Sequence, residues 1–279
     1  MRQIKDGSAP SRAVPRCLRV PLRPVVFLHI QKCAGTSITE LVRPYYHPSI
    51  ITHGDHAGKR PEAFRDIAFV SGHFGFDFAS SFMKDRYSFT FLRDPAERII
   101  SYYYYCRTSA NPFPVNRLAR ENGFEEFLAK GLEDPMLAER LWNNQTWQLA
   151  CGYSNLRNLR VSDFEPAALL ALAKDHLREF SHVGFAETFE EDRKIVFSGM
   201  GLSDQGETRF NRTPDRPRAS EVSRKAMTLI GMLTELDREL YDYAWTQRLI
   251  LKGKDSEERE LDSEAFLSGD ESRAKIMPV

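Results

Sequence analysis

Cysteine is scarce in this chain. Its 279 residues hold four thiols, Cys17, Cys33, Cys106 and Cys151, and none forms a C-x-x-C pair. That excludes a zinc ribbon or a thioredoxin-type redox site and predicts reduced thiols in a cytoplasmic protein. Charge of one sign is missing too: Lys+Arg and Asp+Glu both count 39. The balance gives no reason to expect a nucleic-acid or membrane-surface partner. No apolar run approaches the ~20 residues of a membrane span. The amino terminus, rich in Arg and Pro, lacks the apolar stretch of a secretory signal. No internal repeat is present.

What is there is an ordinary globular composition, with a hydrophobic share of 42%. Residues 1–23 carry Arg2, Lys5, Arg12, Arg16, Arg19 and Arg23 among Pro and Ser, and read as a flexible basic arm. Residues 252–279 are charged and small, and read as a solvated tail. One folded domain over 24–251 remains. Short strand patterns lie at Val25–Ile30, Ala68–Ser71, Tyr87–Leu92 and His182–Phe185. Helical patterns occupy 36–43, 95–108, 122–130, 135–150, 165–180, 188–199 and 219–251. Such alternation predicts an α/β fold with a central parallel sheet flanked by helices. Ligands of such sheets bind at the carboxyl ends of the strands, so the loops there carry the function.

The first of these loops is Gln31-Lys-Cys-Ala-Gly-Thr-Ser37. Gly35 permits close backbone approach, Thr36 and Ser37 place hydroxyls at a helix start, and Lys32 adds a full charge. Helix-start amides and the dipole make this an anion site. The bland reading is a βα turn in which Ser37 and Glu40 form a capping box. A nucleoside-triphosphate P-loop has its Lys directly after the second Gly, whereas Lys32 precedes Gly35. The nearer imitation, Gly54-Asp-His-Ala-Gly58-Lys59-Arg60, is one residue short and ends in Arg. It reads as a polar loop.

His29-Ile-Gln-Lys-Cys-Ala-Gly-Thr-Ser37 resembles the 5′-phosphosulfate loop of the carbohydrate sulfotransferases, the group that includes the heparan sulfate 2-O- and 6-O-sulfotransferases. Gln31 stands where members commonly have Pro. The resemblance implies a P-loop-like three-layer fold and 3′-phosphoadenosine-5′-phosphosulfate as cosubstrate, bound at Lys32, Cys33, Ala34, Gly35, Thr36 and Ser37. It also implies sulfuryl transfer to a hydroxyl of a carbohydrate or other hydroxylated acceptor.

Tyr87-Ser-Phe-Thr-Phe-Leu-Arg93-Asp-Pro-Ala-Glu-Arg-Ile-Ile-Ser101 resembles the same family's 3′-phosphate motif. Asp94 can cap a helix, Pro95 suits its first position, and Glu97 completes a capping box. Arg93 offers a planar fork to phosphate oxygens and Ser101 a hydroxyl. The competing reading pairs Arg93 with a local carboxylate. Arg98 carries no such expectation and reads as a surface residue. In the resembling family a Gly-His pair supplies the catalytic base, which implies that role for His73 after Gly72.

Softer likenesses follow. Asn143-Asn-Gln-Thr146 resembles a family segment whose polar face lies near the site, although a helix end with Trp142, Trp147 and Leu149 in the core explains it equally well. Arg212 and Thr213 match the loop that closes over the nucleotide. Tyr102 to Tyr105 could stack on sugar rings or simply pack. His47, His53, His56 and Asp55 crowd one loop without a zinc spacing. His29 reads as a packed, hydrogen-bonded residue of the first strand.

These readings imply a mechanism in which His73 takes the acceptor's proton and Lys32 stabilises the leaving 5′-phosphate. Arg93, Ser101, Arg212 and Thr213 hold the 3′-phosphate. No metal is required. The competing readings are a nucleotide-dependent kinase or NTPase and a non-catalytic nucleotide-binding module of the same fold.

Overall fold

The structure, a computed structural model, describes residues 22–152, 160–203 and 216–250. The expected arm and tail, and the expected donor contacts Arg212 and Thr213, lie outside the described residues. The described chain forms two compact units.

The first unit holds a five-stranded sheet, all parallel, in the order β2-β3-β1-β4-β5. Its strands are β1 (Val25–Leu28), β2 (Ile50–Ile51), β3 (Phe69–Gly72), β4 (Tyr87–Leu92) and β5 (His182–Phe185). Every residue of β1, β3 and β4 is buried. Such strands read as near-continuous apolar runs, as strands of covered parallel sheets do. Phe27 stacks on Phe89 across the β1–β4 pair, with ring centroids 4.5 Å apart. Helices α1 (Gly35–Tyr46), α2 (Phe76–Met83) and α9 (Phe189–Gly199) belong to this unit. α2 packs on β1 and α9 on β5. From β1 the chain first builds towards β3 and β2, then returns to build β4 and β5 on the other side. A reversal of this kind opens a crevice at the carboxyl end of the central strand, where the loop after β1 begins.

The second unit is helical: α3 (Pro95–Thr108), α4 (Pro114–Glu121), α5 (Phe124–Lys130), α6 (Pro135–Leu141), α7 (Asn144–Ala150), α8 (Pro166–Leu177) and α10 (Arg224–Leu233). Further helix covers 235–250. Ile99, Tyr103, Phe127, Leu141, Ile230 and Leu233 meet in its core.

The α/β architecture agrees with the sequence reading. β4, β5 and α3 have the expected bounds, whereas two long helical patterns are interrupted. The expected helix over 135–150 breaks at Asn143, whose φ of 41° is left-handed, a conformation Asn tolerates better than most residues. The expected helix over 219–251 pauses at Thr234. The short strand β2 and the eight-residue helices α2 and α4 are not among the expected elements.

Candidate active site

In the first unit the loop after β1 is built on two left-handed residues, Lys32 (φ 69°) and Ala34 (φ 64°). Alternating left-handed residues in a turn are the backbone pattern of an anion-binding nest, although the Cys33 amide between them donates to the Ile30 carbonyl at 3.3 Å. α1 starts immediately after. Its N-cap is Ala34, with no side-chain cap, so the Ser37–Glu40 capping box is corrected. Ser37 lies too far into the helix to cap it, and its amide donates to the Ala34 carbonyl at 3.0 Å. The reason for Gly35 also changes. A Cβ there would stand 2.0 Å from His29 Cδ2, so the missing side chain makes room for an imidazole.

The register of β1 on β3 pairs Leu28 with Gly72, and the next residues of the two strands are His29 and His73. Their rings lie 4.4 Å apart, and His53 completes a group of three at 5.3 Å from His29 and 5.6 Å from His73. The His29 amide donates to the Gly72 carbonyl at 3.0 Å, and His73 Nδ1 lies 2.8 Å from the His29 carbonyl oxygen. A carbonyl can only accept, so Nδ1 carries the hydrogen and the neutral ring keeps its lone pair on Nε2. His73 is half-buried, while His29 is 3% exposed. Burial first, then the neighbouring His73, His53 and Lys32, hold the His29 imidazole well below its ordinary range. His29 is therefore neutral. It is packed as expected, but its Nδ1 has no hydrogen-bond partner among the described residues.

In the second unit Arg93 is the residue that follows β4. Asp94 caps α3, accepting from the Glu97 amide at 3.0 Å, as its sequence position implied. Arg93 pairs with Glu97 at 3.7 Å, so the local carboxylate of the competing reading is present. Glu97 also accepts from the Ala219 amide at 2.8 Å. Ser101 is buried at 6% exposure, one helical turn beyond Glu97 on the same face.

Arg98 overturns its reading as a surface residue, for it is 0% exposed. Its guanidinium donates to Asn144 Oδ1 and to the Arg140 and Leu141 carbonyls, each at 3.4 Å. Its charge also opposes the burial that raises the Asp237 carboxyl above its usual range. Sequence spacing could not reveal this, because the compensating groups lie on other helices. Tyr102 and Tyr103 pack in the core, whereas Tyr105 is 44% exposed. Trp147 and Leu149 are buried and Trp142 is only half-buried.

The residues singled out in the sequence thus fall into two sets, one in each unit. Lys32 to Ser37 gather with His29, His53 and His73 in one unit, and Arg93 and Ser101 in the other. Among the described residues no group of three or more His, Cys, Asp or Glu is arranged to hold a metal. No helix among them is long and apolar enough to cross a membrane.

The family model described as Sulfotransferase family matches residues 17–249. The chain belongs to the sulfotransferase family. Sulfuryl transfer is accordingly the reaction class of this family member. No curated protein matches the sequence. Among solved structures it is similar to a sulfotransferase from Alicyclobacillus acidocaldarius, at 17% identity, with 80% of this chain and 95% of that chain covered and a TM-score of 0.41. It is also similar to mouse sulfotransferase SULT7A1 complexed with PAP, at 12% identity over 78% of this chain and 65% of that one, with a TM-score of 0.36.

Proposed function

We propose that this family member transfers a sulfuryl group from 3′-phosphoadenosine-5′-phosphosulfate to a hydroxyl of a glycan or other hydroxylated acceptor. The observation that carries the reading is the shared register of the Lys32 loop and His73. A loop of left-handed residues and an imidazole whose Nδ1 meets the His29 carbonyl stand on neighbouring strand ends. In-line transfer between oxygens asks the protein for little else than positioning, proton removal and charge stabilisation.

In this reading the Lys32–Ser37 loop holds the 5′-phosphosulfate, with Lys32 against the charge that grows on the leaving phosphate. His73 Nε2 takes the acceptor hydroxyl's proton. The S–O bond to the 5′-phosphate breaks as the bond to the acceptor oxygen forms. Arg93 and Ser101, with Arg212 and Thr213, take the 3′-phosphate. The sparse cysteines, none of them in a C-x-x-C pair, suit a reducing compartment such as the cytoplasm.

The test of the donor assignment is thermal unfolding with 3′,5′-adenosine bisphosphate and with ATP. The bisphosphate raises the melting temperature and ATP raises it less. Equal shifts for the two nucleotides, or no shift with either, would remove this donor.

A further inference from the structure

Arg93 stands where β4 has ended and α3 has not begun. The Leu92 carbonyl still takes a hydrogen bond from Ala186 at 2.8 Å, but the sheet ladder goes no further. The Arg93 peptide groups pair instead with one side chain. Gln145 Oε1 accepts from the Arg93 amide at 2.9 Å, and Gln145 Nε2 donates to the Arg93 carbonyl at 2.9 Å. A primary amide used this way imitates the edge of a strand, satisfying both backbone groups at once.

Gln145 is itself held from beneath. It is 1% exposed and sits in the first turn of α7. Its own amide donates to Asp237 Oδ2 at 3.3 Å. The Thr146 amide and hydroxyl both donate to Asp237 Oδ1 at 2.8 Å. Asn143 Oδ1 accepts from the Leu236 and Asp237 amides at 2.8 and 3.1 Å. These partners are all buried, so the ties are little diluted by water. The Arg93 guanidinium extends from this fixed backbone to Glu97 on α3.

We propose that Gln145 is a positioning residue for the donor: its amide fixes the Arg93 main chain so that the guanidinium meets the 3′-phosphate, without touching the donor itself. The proposal rests on the role given to Arg93 above. A contact to phosphate through a planar fork depends on orientation, and a backbone free to rotate between β4 and α3 would spread that fork over many directions.

The test is calorimetric titration of the full chain with 3′,5′-adenosine bisphosphate, in the wild type, Gln145→Ala, Arg93→Ala and the double variant. Gln145→Ala weakens binding about tenfold, the scale of a misplaced charge-assisted contact. In the Arg93→Ala background the same change adds less than about twofold, because the residue it positions is gone. Gln145→Glu supplies a control within one folded protein. Its protonated carboxyl restores both a donor and an acceptor, so its affinity relative to wild type at the same pH recovers on acidification. Equal affinity of Gln145→Ala and wild type, alongside weaker Arg93→Ala, overturns the positioning role alone. So do full additivity in the double variant or a Gln145→Glu deficit that ignores pH. A wild type that does not bind the bisphosphate overturns the donor reading, and this proposal with it.

Discussion

Gly35→Ala separates two explanations of the same glycine. If Gly35 serves only ligand approach, alanine is harmless to the empty fold. Helix propensity even favours it, by about 1 kcal/mol in a helix interior. Backbone strain adds nothing, since Gly35 is not among the glycines with positive φ. Packing gives the opposite sign. The new methyl would stand 2.0, 2.1 and 2.6 Å from His29 Cδ2, Nε2 and Cε1, where carbon contacts settle near ~3.5–4.0 Å. The imidazole has little room to retreat, with the Phe27 ring stacked at 5.3 Å and His73 at 4.4 Å. Overpacking of this kind costs about 1–3 kcal/mol, and 2 kcal/mol corresponds to a melting temperature lower by roughly 4–8 °C. The assay is thermal and denaturant unfolding of wild type, Gly35→Ala, His29→Ala and the double variant. Removing the imidazole makes space for the methyl, so Gly35→Ala costs at least about 1 kcal/mol less in the His29→Ala background. An equal cost in both backgrounds, or none in either, would refute the steric argument. Because the His29 carbonyl holds His73 Nδ1 at 2.8 Å, the single Gly35→Ala variant also loses turnover.

Two further outcomes follow from the same site. His29, His53 and His56 all have imidazoles held below the ordinary range, in each case chiefly by burial. The unfolded chain therefore binds more protons than the folded one as pH falls through about 6.5. Their stabilisation is complete above that pH and is lost below it. Asp237, whose carboxyl is raised, acts in the opposite sense, so the histidine part is isolated by comparing wild type with His29→Asn. The variant shows a shallower loss of melting temperature between about pH 7 and 5, and an unchanged slope would count against the buried neutral imidazole. Lys32→Ala lowers turnover at saturating donor by roughly a hundredfold, whereas Arg93→Ala acts mainly by raising the donor concentration needed. Steady-state kinetics distinguishes them, and normal saturated turnover in Lys32→Ala would remove its role at the leaving group.

The pieces legible in the sequence are those whose causes are local. β4 ends and α3 begins where an aromatic, β-branched run meets Arg93-Asp94-Pro95, and the Asp94 cap lies three residues from the amide it accepts. The loop after β1 is recognisable by composition, although the purpose of Gly35 depends on His29 packing. What remained hidden is long-range. Gln145 reaches Arg93 across 52 residues and Thr146 reaches Asp237 across 91. Arg98 has the sequence surroundings of a surface cation, and only tertiary structure supplies the carbonyls and the Asp237 carboxylate around it. His29 and His53 drew no functional reading because nothing local links them to His73. The parallel registers do so, by aligning the ends of β1 and β2 with that of β3.

The proposed reaction is sulfuryl transfer with His73 as the base. The most direct measurement follows labelled sulfate from 3′-phosphoadenosine-5′-phosphosulfate onto a panel of glycans and other hydroxylated acceptors, comparing wild type with His73→Ala at matched donor occupancy. The wild type labels an acceptor, and His73→Ala does so at a rate lower by about 10²–10⁴ with unchanged affinity for the bisphosphate. Equal rates for the two proteins, or an absence of label on every acceptor from a wild type saturated with donor, would contradict it.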